Sequence, residues 1–119
     1  MPDTAFPREL RLLSTKDFDL VFKDPVRASA KGILVLAVPN EGHRHPRLGL
    51  IVPKKALKRA VWRNRIKRVI RESFRLNQHT LPDIDIVVLA KPAIREYTNQ
   101  ELCRTLLKLW DQISHRLAR

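Results

Sequence analysis

Between Lys54 and Arg75 the chain carries ten Lys or Arg side chains and one acid, Glu72, and any fold it adopts must hold those charges at the surface. Ten bases against one acid leave a local charge of +9 out of +12 for all 119 residues, so the rest of the chain is nearly balanced. At about 100° per residue, Trp62, Ile66, Val69, Ile70, Ser73 and Phe74 fall on one arc. Asn64, Arg65, Lys67, Arg68, Arg71 and Arg75 occupy the other, with Arg63 at the boundary. The pattern predicts an amphipathic helix over 60–75 with one core face and one cationic face. A sequence pI near 10.9 exceeds what solubility asks of so small a chain and points to a polyanion partner.

The remaining elements follow from shorter signals. A length of 119 residues suits one domain, and 44% hydrophobic content is enough for a core. Met1 to Leu13, with Pro2 and Pro7, reads as an extended arm of that domain. Ser14-Thr15-Lys16-Asp17 offers a hydroxyl cap with an acid three residues on, and Phe18, Val21 and Phe22 follow at helical spacing, predicting a short helix to about Asp24-Pro25. Lys31 to Pro39 and Arg47 to Pro53 read as strands around a turn at Asn40 to Pro46, and are expected to pair as an antiparallel hairpin. Ile84 to Ala90 is a third strand closed by Lys91-Pro92. Thr98-Asn99-Gln100-Glu101 has the capping-box pattern ahead of an apolar stripe from Leu102 to Leu117. The predicted order is α-β-β-α-β-α, an α+β chain.

Several function classes find no support. One cysteine, Cys103, cannot form an intramolecular disulfide, and with no signal segment at the start this fits the cytoplasm. No apolar run approaches the roughly 20 residues of a membrane span. Three glycines leave little room for a phosphate-cradling loop, and no paired-carboxylate or Ser-His-Asp spacing stands out. His43-Arg44-His45 lacks the Cys or acidic partners of a metal site, and Cys103 has no nearby base. The polypeptide is therefore expected to bind rather than to catalyse. Trp62 and Trp110 lie on apolar arcs and are read as core or rim packing. Phe18 and Phe22, four apart, could stack bases of a single strand, but two aromatics at this spacing more often pack in the core. Asn64, between two arginines, could hydrogen-bond a base edge, a 2′-hydroxyl or its own backbone. A ribosomal or assembly protein would share this size and charge, and a membrane-active helix would share the amphipathic pattern.

The stretch Val61-Trp62-Arg63-Asn64-Arg65-Ile66-Lys67-Arg68-Val69-Ile70-Arg71-Glu72-Ser73-Phe74-Arg75 resembles the Arg-Asn-Arg helix of the bacterial ribonuclease P protein family. Arg11-Leu12, Asp17-Phe18 through Val21-Phe22, Arg47-Leu48-Gly49-Leu50 with Lys54-Lys55, and Asp85-Ile86-Val87-Val88 fall in that family's order, so the likeness spans the chain. The resemblance implies a single-layer sheet with helices and a left-handed βαβ crossover, as in the second domain of a small-subunit ribosomal protein. It further implies an accessory subunit of an endoribonuclease that removes the 5′ leader of precursor tRNA, leaving a 5′-phosphate. Catalysis would belong to the RNA subunit, with magnesium held mainly by RNA and one protein bound per RNA. By resemblance, Lys54, Lys55, Arg59, Arg63, Asn64, Arg65, Lys67, Arg68, Arg71 and Arg75 would bind the catalytic RNA, and Arg11, Phe18 and Phe22 would line a cleft for the leader.

Overall fold

The computed structural model describes residues 10–12, 14–40 and 45–117. The first nine residues of the expected arm and Leu13, together with His43 and Arg44, lie outside them. The elements in order are α1 (Thr15–Lys23), β1 (Val26–Ala30), β2 (Ile33–Pro39), β3 (Arg47–Ile51), α2 (Ala60–Asn77), β4 (Ile84–Ala90) and α3 (Asn99–Leu117). Short 3₁₀ turns occupy Gln78–Thr80 and Pro92–Glu96.

The strands form one sheet in the order β1-β2-β4-β3, so the α+β class with a single sheet stands, with one strand more than expected. β1 escapes a sequence reading because Val26-Arg27-Ala28-Ser29-Ala30 is short and built largely of small side chains. It turns back into β2 through Lys31-Gly32, pairing Ala30 with Ile33. Gly32 has φ +75, and a Cβ there would lie 2.4 Å from the Ile94 backbone nitrogen, so the turn needs glycine.

The expected hairpin between residues 31–39 and 47–53 does not form. β4 lies between the two strands, antiparallel to β2 and parallel to β3. The physical reason is burial on both faces. β4 has six of its seven residues buried, and such a run belongs in the middle of a sheet. A parallel neighbour cannot be joined by a tight turn, and α2 serves as the crossover from β3 to β4.

Strand alternation divides the apolar side chains between the two faces. Ile33, Val35, Ala37, Leu48, Ile84, Ile86 and Val88 face α2 and α3 and join the main core with Ile66, Ile70, Phe74, Leu106 and Trp110. Trp110 Nε1 donates to Ser73 Oγ at 2.9 Å, and its ring meets Phe74 edge-on with centroids 5.9 Å apart. Ser73 thus satisfies the indole N–H within the apolar arc of α2. Leu36 and Val87 look the other way, towards Val21 of α1 and Leu12, with Phe18 packed against them.

Helix starts follow the sequence signals. Ser14 Oγ accepts the Asp17 N–H at 3.1 Å. At α3, Glu101 N donates to Thr98 Oγ1 at 3.1 Å while Thr98 N donates to Glu101 Oε1 at 2.9 Å, a complete capping box.

Candidate nucleic-acid interface

α2 opens without help from its own side chains. Its N-cap, Arg59, makes no side-chain cap hydrogen bond, and the first turn holds no acid. A helix N-terminus carries roughly half a positive charge, so Arg59 and the lysines ahead of it add like charge to it. The arrangement is electrostatically unfavourable in isolation and is relieved by an anion.

Along the helix the cations divide into distinct sets. Arg63 turns back, with Nη1 donating to the carbonyls of Leu57 at 2.8 Å and Lys58 at 3.0 Å, and so braces the loop before the helix. Arg75 is held by the run's one acid, donating through Nε and Nη2 to Glu72 at 3.1 and 2.7 Å. That pair draws the Glu72 carboxyl below its ordinary pKa and raises that of Arg75. Arg65 leans towards α3 and donates to Asn99 Oδ1 at 2.6 Å. Lys67 and Arg71 lean the opposite way, into a groove. Between them Asn64 and Arg68 are exposed, as are Lys54, Lys55 and Arg59. Among the described residues Arg65, Lys67, Arg68 and Arg71 form no ion pair. Asn64 is likewise exposed and its side chain makes no hydrogen bond among the described residues.

The groove has a volume of about 150 Å³ and is lined by Arg11, Leu12, Phe18, Leu48, Gly49, Leu50, Lys67 and Arg71. Its walls come from four parts of the chain, the arm, α1, β3 and α2. Leu12 N donates to Leu48 O at 3.0 Å, and Arg11 bridges Leu48, so the end of the arm lies along the free edge of β3. α1 supplies Phe18, whose ring sits over Gly49: a Cβ on that glycine would be 2.6 Å from Phe18 Cζ. α2 supplies the two cations. Burial disfavours the charge on Arg71, and the nearby Arg11 adds to that, lowering the Arg71 pKa. A guanidinium remains charged even so, and the strain is relieved by an incoming anion. Phe18 is half-buried, packing on the sheet while lining the groove; Phe22, one turn on, is 43% exposed and does not line the groove.

A polar cluster that sequence reasoning missed fixes α1 in place. Asp85 of β4 is buried, and it accepts from Arg47 Nε at 2.9 Å, Arg47 Nη2 at 2.8 Å and Asn40 Nδ2 at 2.9 Å. Arg47 also reaches Asp17 of α1 at 3.5 Å. The hydrogen bond to Asp85 raises the Arg47 pKa against the opposing effect of burial. Burial of Asp17 works to raise its pKa, but the Arg47 charge and the hydrogen bonds from Ser14 and Arg47 outweigh it and hold the carboxyl below its usual value. The signal was the Arg47–Asp85 pairing across parallel strands, which is invisible until β3 and β4 are known to be neighbours.

The sequence matches the family described as Ribonuclease P over residues 6–114. The chain belongs to the ribonuclease P family. The fold agrees: an RNase P protein structure from Staphylococcus aureus superposes with a TM-score of 0.82 at 28% identity, covering 88% of this chain and 97% of that one. The RNase P protein of Thermotoga maritima, in complex with 1-(4-fluorophenyl)-2-thiourea, superposes at 0.78 with 33% identity, covering 87% and 99%. A Staphylococcus aureus RNase P protein mutant with defective mRNA degradation activity gives 0.81 at 30% identity, covering 87% and 86%. Membership in the ribonuclease P family gives this chain the role of a protein subunit of ribonuclease P, with ribonuclease P RNA as its partner and tRNA processing as its setting. No helix among the described residues is long and apolar enough to cross a membrane.

Proposed function

We propose that the chain is the accessory RNA-binding subunit of ribonuclease P, acting in the cytoplasm as one domain bound once per catalytic RNA. The exposed band of α2, with Asn64 and Arg68 at its centre and Lys54, Lys55, Arg59 and Arg65 around it, docks on the catalytic RNA. Lys67 and Arg71 face the groove and hold the single-stranded 5′ leader of precursor tRNA together with Arg11 and Phe18, while Phe22, exposed one turn further along α1, is a lesser candidate for leader contact. Arg63 and Arg75 contribute less directly, since both guanidinium groups are engaged within the protein.

The observation that carries this reading is the convergence of Arg11, Lys67 and Arg71 on a groove that Phe18 also lines. Guanidinium and ammonium groups neutralise a phosphate backbone, and the Phe18 ring offers a base an apolar contact that is indifferent to its identity.

Hydrolysis of the phosphodiester is assigned to the RNA. Bound magnesium would supply an activated water and charge neutralisation at the phosphate. Among the described residues no three His, Cys, Asp or Glu side chains come together as ligands. The protein's own contribution is positional: it holds the leader near the RNA and lowers phosphate repulsion, so that less magnesium is required. Reconstitution of the chain with ribonuclease P RNA tests this directly. At low magnesium the protein should restore precursor cleavage that RNA alone performs poorly, and it should favour binding of precursor over mature tRNA. No gain in cleavage, or equal gains in affinity for precursor and mature tRNA, would count against the leader groove.

A further inference from the structure

On the side of α2 away from the leader groove a second recess opens, which shares Arg65 with the docking band but adds Trp62, Arg95 and Glu96. Trp62, Arg65, Arg95 and Glu96 line it, and its volume is about 470 Å³. That lies within the ~300–1,000 Å³ of sites that accept small ligands. Trp62 sits one turn before Ile66, on the apolar arc, yet it is 39% exposed while Ile66 is fully buried. The core ends beneath the first turn of α2 and leaves the indole at the rim.

An exposed tryptophan alone would be unremarkable. Its surroundings are what single it out. The Arg59 guanidinium lies 5.3 Å from the ring centroid and is not among the lining residues, so it braces the indole from outside the recess. Arg65 is anchored through Nη1 on Asn99 Oδ1 at 2.6 Å, which fixes its fork and leaves its other N–H groups available. Arg95 has no ion pair among the described residues. The single acid of the recess, Glu96, is already bound to Lys31 at 2.6 Å. The recess therefore presents a flat aromatic surface beside two guanidinium groups that form no ion pair among the described residues, and its one carboxylate is shared with Lys31. Its complement is a planar ring carrying an anion, which is the chemistry of a nucleotide.

We propose that Trp62 is a stacking platform for an unpaired nucleobase of the catalytic RNA, with Arg65 and Arg95 binding the phosphate next to that base. The inference rests on α2 docking on RNA and adds a defined subsite to it. Stacking on an indole accepts any base, because each has a π face, while paired guanidinium groups suit the phosphate oxygens. The site lies across α2 from Lys67 and Arg71, so the nucleotide it takes belongs to the catalytic RNA and not to the leader.

The test uses the full chain and transcribed ribonuclease P RNA. Trp62→Ala should weaken RNA binding by about five- to 160-fold, the range found for loss of one base–aromatic stack. Because stacking releases no counterion, the salt dependence should keep its slope, whereas Arg95→Ala should lower the slope by about 0.7 to 0.9. Trp62→Phe, which keeps a ring, should recover most of the affinity. RNA should also quench the indole emission of the unmodified protein, and the quench should largely vanish in Trp62→Phe, where only the buried Trp110 still emits. Wild-type affinity in Trp62→Ala, or an equal quench in Trp62→Phe, overturns the proposal. So does a loss confined to leader-bearing precursor, or an emission change that tracks protein concentration without RNA, which would mark a contact between protein chains. Arg68→Ala measured on the same RNA separates the two levels of inference. If it reduces affinity and slope while Trp62→Ala does nothing, docking stands and the stacking site falls; if neither variant matters, docking on α2 falls as well.

Discussion

Arg63 and Arg68 are five positions apart on one helix, and the structure gives them different work. Arg68 is exposed and forms no ion pair among the described residues, so Arg68→Ala should weaken assembly with ribonuclease P RNA. It should also reduce the slope of log affinity against log salt by about 0.7 to 0.9, one phosphate contact's worth. Arg63 spends its Nη1 on two carbonyls, and Arg63→Ala should instead lower the free energy of unfolding by about 1 kcal/mol. Urea titration of the free protein, set beside RNA titration at several salt concentrations, reads the two effects separately; equal salt slopes for both variants would contradict the division. Gly49 offers a third test at this scale. A methyl group there would lie 2.6 Å from Phe18 Cζ and must push the ring aside. Gly49→Ala should therefore impair the preference for leader-bearing precursor while leaving affinity for the catalytic RNA alone nearly unchanged, as comparative binding of precursor, mature tRNA and catalytic RNA would reveal.

At the scale of elements, the position of α1 governs the groove, because Phe18 is its wall on that side. α1 is nine residues long, too short to be stable alone in water. It rests on the sheet through Val21 and Phe18 and is tied by Asp17 to Arg47 and, through Arg47, to buried Asp85. The folded-state pKa of Asp17 is depressed, so its contribution is fully present above the unfolded value of about 3.9 and is lost as pH falls through the folded value. Stability should thus drop on acidification below about pH 4, and Asp17→Asn should lose part of that dependence while being less stable than wild type near neutrality. Urea midpoints of both proteins across that range supply the check. Identical acid slopes would mean that Asp17 does not tie α1 down.

For the whole molecule the governing quantity is a charge of +12 carried by a body whose described residues have a radius of gyration of 13.4 Å. Neighbouring cations on such a body lie within the ~8–10 Å over which charges are felt at moderate salt. Self-repulsion opposes folding, and any anion that binds the native state offsets it. Added phosphate should raise the melting temperature of the free protein more than chloride of equal ionic strength, because screening is then matched and only site binding differs. Thermal melts followed by circular dichroism would show it, and equal shifts would reduce the effect to screening.

Periodicity and capping, read along the chain, determined much of this protein. The apolar arc at Ile66, Ile70 and Phe74, the cap at Ser14, the box at Thr98 and Glu101, and the strand at Ile84 to Ala90 are all local patterns, set by side chains within a turn or two of one another. The concentration of cations on α2 was legible for the same reason. Only tertiary structure decided that β4 inserts between β2 and β3, that Arg63 turns back onto the Leu57 and Lys58 carbonyls while Arg68 forms no ion pair among the described residues, and that Phe18 faces a groove which Phe22 does not line. A sequence period says which face of an element is apolar and leaves open which element covers it. Strand order, ion pairs such as Arg47–Asp85 and the two recesses flanking α2 depend on contacts between residues tens of positions apart, and those are selected by packing of the whole chain at once.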